Sequence, residues 1–246
     1  MDTLAAFPPT PSSSGDVEVY VPPVVYPESD GQPMADNTKQ FEWICTLNYG
    51  FADLYRDDPR VFVAGDLLWY PVEGENKIRL APDVLIAFGR PKGHRGSYLQ
   101  WLENGIAPQV VFEVLSPGNR PLEMEKKRRF YATYGVQEYY EYDPDFGDFA
   151  GWLNKEGQFE PIEKIHGWVS PKTGVRFELH DGILSVIKPD GQPFLTYLES
   201  RERDRAMAKR ADEEKARADE EQARAEAAEA EVKALKELLR SMGKDV

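Results

Sequence analysis

The sequence predicts an α/β (α+β) domain, a mixed central sheet flanked by helices. Three observations carry this reading. Short runs rich in β-branched and aromatic residues recur between 60 and 195, each bounded by glycine or proline. Helical patterns lie among them, over 41–55 and 122–134. Their order is helix, several strands, helix, strand, further strands, which is neither a repeat nor an alternating βαβ array.

The elements follow along the chain. Residues 1–40 hold seven of the nineteen prolines, the run Ser12-Ser13-Ser14-Gly15, and six acids against one base. Such a segment buries too little apolar surface to offset its ordering entropy, so it reads as a flexible lead, with one edge strand over Val17–Val25 as an option. Phe41, Ile44, Cys45 and Leu47 recur at helical spacing. Arg60–Tyr70, Pro82–Phe88 and Gln109–Leu115 read as strands. Leu122–Tyr134 reads as a helix stopped by Gly135. Glu138–Tyr142 follows as a strand, then a turn at Asp143-Pro144. Further short strands are expected between Trp152 and Leu195, with turns at Asp181-Gly182 and Asp190-Gly191.

Residues 201–246 contain no proline and a single glycine, Gly243, and are dominated by alanine, glutamate, lysine and arginine. That composition favours helix. Ala211, Ala218, Ala225, Val232 and Leu239 recur every seven residues, with Ala228 and Leu235 on a second seam. The pattern is a weak coiled coil, because Glu214 and Glu221 hold the earlier second-seam positions. A solvated single helix and a coil joining two copies as a homodimer fit it equally. The chain thus divides into a lead (1–40), a globular domain (41–200) and a charged helix (201–246).

Composition excludes several classes. The net charge of −13 rules out a strongly basic nucleic-acid coat protein. No apolar run approaches the length of a membrane-spanning helix, and the first residues lack the features of a secretory signal. Cys45, the sole cysteine, excludes an internal disulfide and a multi-cysteine zinc site. A cytoplasmic protein is the expectation. There is no G-x-x-x-x-G-K-[ST] phosphate loop and no H-E-x-x-H zinc motif.

The chemistry concentrates in a few residues. Val110–Leu115 is apolar on both faces, as a central strand should be, yet carries Glu113 on the face of Val111 and Leu115. A buried carboxylate costs several kcal/mol unless it is paired or binds metal. Asp83 opens the neighbouring apolar run Asp83–Phe88. Two such acids on adjacent strands can converge on a hard divalent ion, Mg²⁺ or Mn²⁺, with water completing the shell. The structural alternative is that Asp83 caps a strand and Glu113 pairs with a base. In the helix 122–134, Leu122, Met124, Phe130, Tyr131 and Tyr134 form one arc, and Lys127 falls in its middle. A surface lysine belongs on the opposite face. Lys127 either pairs with Glu123 at i, i+4 or reaches a carboxylate site on the sheet.

Asp83-Val84, Glu113-Val114-Leu115-Ser116-Pro117, the spacing Glu123-Lys127-Tyr131, and Tyr134-Gly135-Val136-Gln137-Glu138-Tyr139-Tyr140-Glu141-Tyr142-Asp143-Pro144 together resemble the Uma-two family of restriction endonucleases, within the PD-(D/E)XK nuclease superfamily. The resemblance covers about 61–144. It implies a restriction-endonuclease-like sheet flanked by helices, and Asp83 and Glu113 as metal ligands. The superfamily's usual lysine position, two residues after the second acid, holds Leu115 here. Lys127 matches the place from which this family draws its lysine, on the following helix. Glu42 and Asp66 are further acid candidates.

The implied reaction is metal-dependent hydrolysis of DNA phosphodiesters, with Asp83, Glu113 and Lys127 catalytic and Mg²⁺ (or Mn²⁺) as cofactor. The alternative is a catalytically inactive nuclease-fold module that binds nucleic acid or a protein partner. Local bases offset the acidic body: Arg90, Lys92 and Arg95 in one loop, and Arg120, Arg128 and Arg129 along the helix, are the candidates for holding a DNA backbone. The 19-residue link 90–108 is long enough to do more than connect.

Overall fold

The computed structural model describes residues 24–241. In chain order its elements are α1 (Thr38–Leu54), β1 (Val61–Gly65), β2 (Trp69–Tyr70), β3 (Val84–Phe88), β4 (Tyr98–Leu99), a 3₁₀ turn (Gln100–Glu103), β5 (Val110–Val114), α2 (Pro121–Tyr134), β6 (Glu138–Asp143), β7 (Asp148–Lys155), β8 (Gln158–Pro161), β9 (Arg176–His180), β10 (Ile183–Ile187) and α3 (Tyr197–Ser241). Six strands make the central sheet, in the order β1-β3-β5-β6-β7-β8. Neighbours are antiparallel except β5 and β6, which run parallel and are joined by the α2 crossover. The mixed α/β architecture expected from the sequence is therefore the one observed.

Each face of the sheet has its own cover, which is why β5 reads as a near-continuous apolar run. On one face α1 and the β9–β10 hairpin enclose Ile44, Leu47, Phe51, Phe112, Tyr140 and Phe177. On the other, α2 and the short β2–β4 pair enclose Trp69, Leu85, Val111, Tyr131 and Tyr139. α1 is capped by Asn37, whose Oδ1 accepts from the Gln40 N–H at 2.9 Å. It buries Ile44, Leu47 and Phe51; Phe41, expected on that face, is exposed. α2 starts with Pro121 in its first turn and ends at Gly135, whose φ of 103° is open to glycine at little cost.

The β9–β10 turn has Asp181 and Gly182 both at positive φ, as a two-residue hairpin requires. It packs against the β6–β7 turn so closely that a Cβ on Gly147 would meet the Gly182 backbone. β7 begins at Asp148, four residues before the first strand expected beyond Trp152.

Of the lead expected over 1–40, the described residues are 24–40. α1 starts at Thr38, and the chain before it is tied to the domain. The Tyr26 ring packs on Tyr70 and Trp101, and the Tyr70 hydroxyl donates to the Pro27 carbonyl at 2.7 Å. An aromatic residue among prolines supplied the anchor that composition alone hides. The edge strand expected over Val17–Val25 falls mostly outside the described residues, and Val24 and Val25 lie outside any strand. At the other end α3 begins at Tyr197 rather than 201 and runs 45 residues, with every described side chain from Arg201 on exposed. Among the described residues no helix is long and apolar enough to cross a membrane.

Candidate active site

Glu113 is the penultimate residue of β5, 2% exposed, facing α2. Alternation along the strand sends Val110, Phe112 and Val114 to the α1 side and leaves Val111 and Glu113 on the α2 side. From α2, Lys127 Nζ donates to Glu113 Oε2 at 2.8 Å, and the Tyr131 hydroxyl donates to Oε1. Lys127 and Tyr131 are one helical turn apart, so a single face of α2 delivers both donors to one carboxylate. Lys127 thus pairs with the sheet acid and not with Glu123, the local alternative.

Asp83 lies one residue before β3. The ladder pairs Val84 with Phe112, which brings Asp83 opposite Glu113 on the same face. Its Oδ2 accepts from the Val114 N–H at 2.6 Å, so β5 itself fixes the Asp83 carboxylate. Two strands and one helix therefore converge on an Asp–Glu–Lys group.

The electrostatics are those of a site with more acid than base. Burial and then the charge of Glu113 push Asp83 well above the ordinary carboxylate range, while Lys127 and the Val114 N–H pull the other way. Burial draws the Lys127 ammonium down, but Glu113, through charge and hydrogen bond, outweighs it and leaves Lys127 above its ordinary value, a firm cation. Burial and Glu113 likewise hold the Tyr131 hydroxyl protonated, as a donor. Asp66, at φ 48° just after β1, bonds through its N–H to the Pro82 and Asp83 carbonyls. Its carboxyl is raised by burial first, then by Asp30 and Glu113, so it stands within the field of the pair. Glu42 is exposed on α1, and its side chain bonds neither acid; its neighbour Gln40 instead reaches β5, donating through Nε2 to the Val114 carbonyl at 2.7 Å.

The donor set suits a hard divalent ion. Among the described residues Asp83 Oδ1 has no hydrogen-bond donor, Lys127 and Tyr131 leave acceptor capacity on Glu113, and one cation faces a buried and a half-buried acid. Among the described residues no three histidine, cysteine, aspartate or glutamate side chains cluster as a metal cage. An ion held by two carboxylates and water is the usual arrangement for Mg²⁺.

Of the six cations expected to hold nucleic acid, several are engaged within the domain. Arg90 and Arg95 both clamp Glu103, at 2.7 and 2.5 Å, and Arg95 also lies over the Phe62 ring. Lys92 donates to the Tyr55 and Arg56 carbonyls at the end of α1. This is what the long 90–108 link does: Glu103 and the α1 C-terminus organise its bases. Arg128 stacks on Trp152 at 4.1 Å and pairs with Glu141, which lies beside Glu113 in the β5–β6 register. Arg129 pairs with Glu125 along α2. Arg120, the N-cap residue of α2, is exposed and forms no ion pair among the described residues, as is true of Lys126 six residues further on.

Sequence reasoning placed Tyr131 in the apolar arc without a role and did not single out Gln40. The signal for Tyr131 was its i, i+4 spacing from Lys127; for Gln40 there was none short of the fold.

The Uma2 family model, described as "Putative restriction endonuclease", matches residues 30–169. Among solved structures, the crystal structure of a "putative nuclease belonging to DUF820" from Anabaena variabilis ATCC 29413 is similar at 16% sequence identity, over 61% of this chain and 84% of that one, with a TM-score of 0.42. No curated protein matches the chain.

Proposed function

This chain belongs to the Uma2 family, and on that premise we propose that it is a divalent-cation-dependent endonuclease that hydrolyses DNA phosphodiesters at Asp83, Glu113 and Lys127. The observation that carries the reading is the convergence of Lys127 and Tyr131 on Glu113, with Asp83 bonded to the next residue of the same strand. A structural ion pair needs one acid and one base. Here a second acid, the half-buried Asp83, stands opposite the first, and a single lysine faces both.

Asp83 and Glu113 hold the cation, Mg²⁺ or Mn²⁺. A bound divalent ion supplies Lewis acidity toward a phosphodiester oxygen and acidifies water. The Tyr131 hydroxyl and Lys127 fix the Glu113 carboxylate in one orientation, and the Val114 N–H does the same for Asp83. Without metal, Glu113 holds the Lys127 ammonium above its ordinary value, which favours a charge-stabilising role over that of a base. Its remaining N–H donors are free to meet the negative charge that develops on the attacked phosphate. Arg120 and Lys126, at the exposed start of α2, hold the DNA backbone beside the site.

The test is conversion of supercoiled plasmid in Mg²⁺ or Mn²⁺ by wild type and by Asp83→Asn purified in parallel. The reading expects cutting by wild type alone. Equal cutting by both, or none by either, overturns it.

A further inference from the structure

Among the described residues α3 has no partner from Arg201 on, and its exposed face includes Met207, Val232, Leu235 and Leu238. We propose that α3 pairs with α3 of a second copy as an antiparallel coiled coil, in the register that sets Ala218 across from the partner's Ala228 and Ala211 across from the partner's Leu235. The heptad pattern defines a seam; the residues that interrupt it choose the direction.

In a parallel, in-register pair every seam residue meets itself. Glu214 would face the partner's Glu214, and Glu221 the partner's Glu221, two like-charge contacts in the seam. The antiparallel register sets Glu214 against the partner's Val232 and Glu221 against the partner's Ala225. Each glutamate then lays its methylenes on an apolar neighbour and turns its carboxylate to water. The same register balances volume, because the alanine-rich first half of the seam meets the half that carries Ala228, Val232 and Leu235.

Flanking charges agree. The register brings Lys215 across from the partner's Glu229 and Arg217 across from the partner's Glu231. Among the described residues none of these four has an ion pair within its own chain, whereas Lys209–Glu213 and Arg224–Glu220 pair along the helix at i, i+4. The one adverse contact is Arg224 with the partner's Arg224 near the twofold axis, and Glu220 of each chain already neutralises it. The occupant of the seam is thus a second copy, because the helix is complementary to its own reverse.

A consequence follows for shape. The axis falls near residue 223, so the two domains leave the coil at Tyr197 of each chain about 78 Å apart, at ~1.5 Å per residue.

The test uses the full chain on a Cys45→Ser background, with Ala218→Cys, Ala228→Cys and the double variant, each oxidised and run on a non-reducing gel, beside light scattering of the unmodified chain. The two positions are ten residues apart on one helix, about 15 Å, so they cannot close within a chain. Antiparallel pairing expects twice the 28.0 kDa chain mass and a cross-linked dimer from the double variant only. Cross-linking of either single variant to itself means a parallel pair and overturns the proposal, as does a monomer mass. Neither readout depends on nuclease activity, so this inference and the proposed function fail separately.

Discussion

Lys127 Nζ lies 2.8 Å from Glu113 Oε2, a bond from the crossover helix to the strand that the crossover follows. It ties α2 to the sheet at the point where two acids converge. Removing the lysine leaves Glu113 buried without its cation. Lys127→Met should therefore lower stability by about 3–5 kcal/mol, measured by urea unfolding without added metal. Lys127→Met combined with Glu113→Gln should recover most of that loss, since the uncompensated charge is gone.

Tyr131→Phe tests the second anchor. It removes the hydroxyl that donates to the buried Glu113 and leaves Oε1 without its donor, a loss of about 1–3 kcal/mol. The urea midpoint should fall with an unchanged slope, and plasmid cutting should fall with it while Mg²⁺ still supports activity.

Glu103 predicts a pH dependence. Burial pushes its carboxyl up, but Arg95 and Arg90 more than offset this and hold it below the ordinary carboxylate range. A carboxyl lowered in the folded state contributes stability above its unfolded value of 4.5, and that contribution is lost as pH falls through the lower folded value. Glu103→Gln should therefore destabilise the protein at pH 7 and lessen the fall in melting temperature below pH 4.5, followed by thermal scans across pH.

The basic residues separate by what they already hold. Arg120→Ala and Lys126→Ala should each weaken DNA binding across sequences and reduce the salt slope by about one. Lys92→Ala should leave the slope unchanged, because its ammonium is engaged by the Tyr55 and Arg56 carbonyls. Filter binding at several salt concentrations reads both.

Much of the sheet was legible because both of its faces are covered. Apolar runs such as Val110–Val114 then stand out, and an acid inside one is conspicuous. Lys127 was legible as a lysine centred on an apolar arc, although Leu122, assigned to the same arc, is exposed because it precedes the sheet contact. The tether at Tyr26 was hidden, since its partners Tyr70 and Trp101 are remote in sequence. The same holds for Glu103: an acid that organises two arginines reads, in sequence, as one more charge in a polar loop. Gln40 shows the limit most plainly, because its bond to the Val114 carbonyl depends on where α1 crosses β5.

The most direct measurement is Mn²⁺ binding to the purified protein, followed by electron paramagnetic resonance, for wild type, Asp83→Asn and Glu113→Gln at matched stability. The account predicts bound Mn²⁺ in wild type that both variants lose while remaining folded. Equal binding by all three would contradict it and remove Asp83 and Glu113 from any role as ligands.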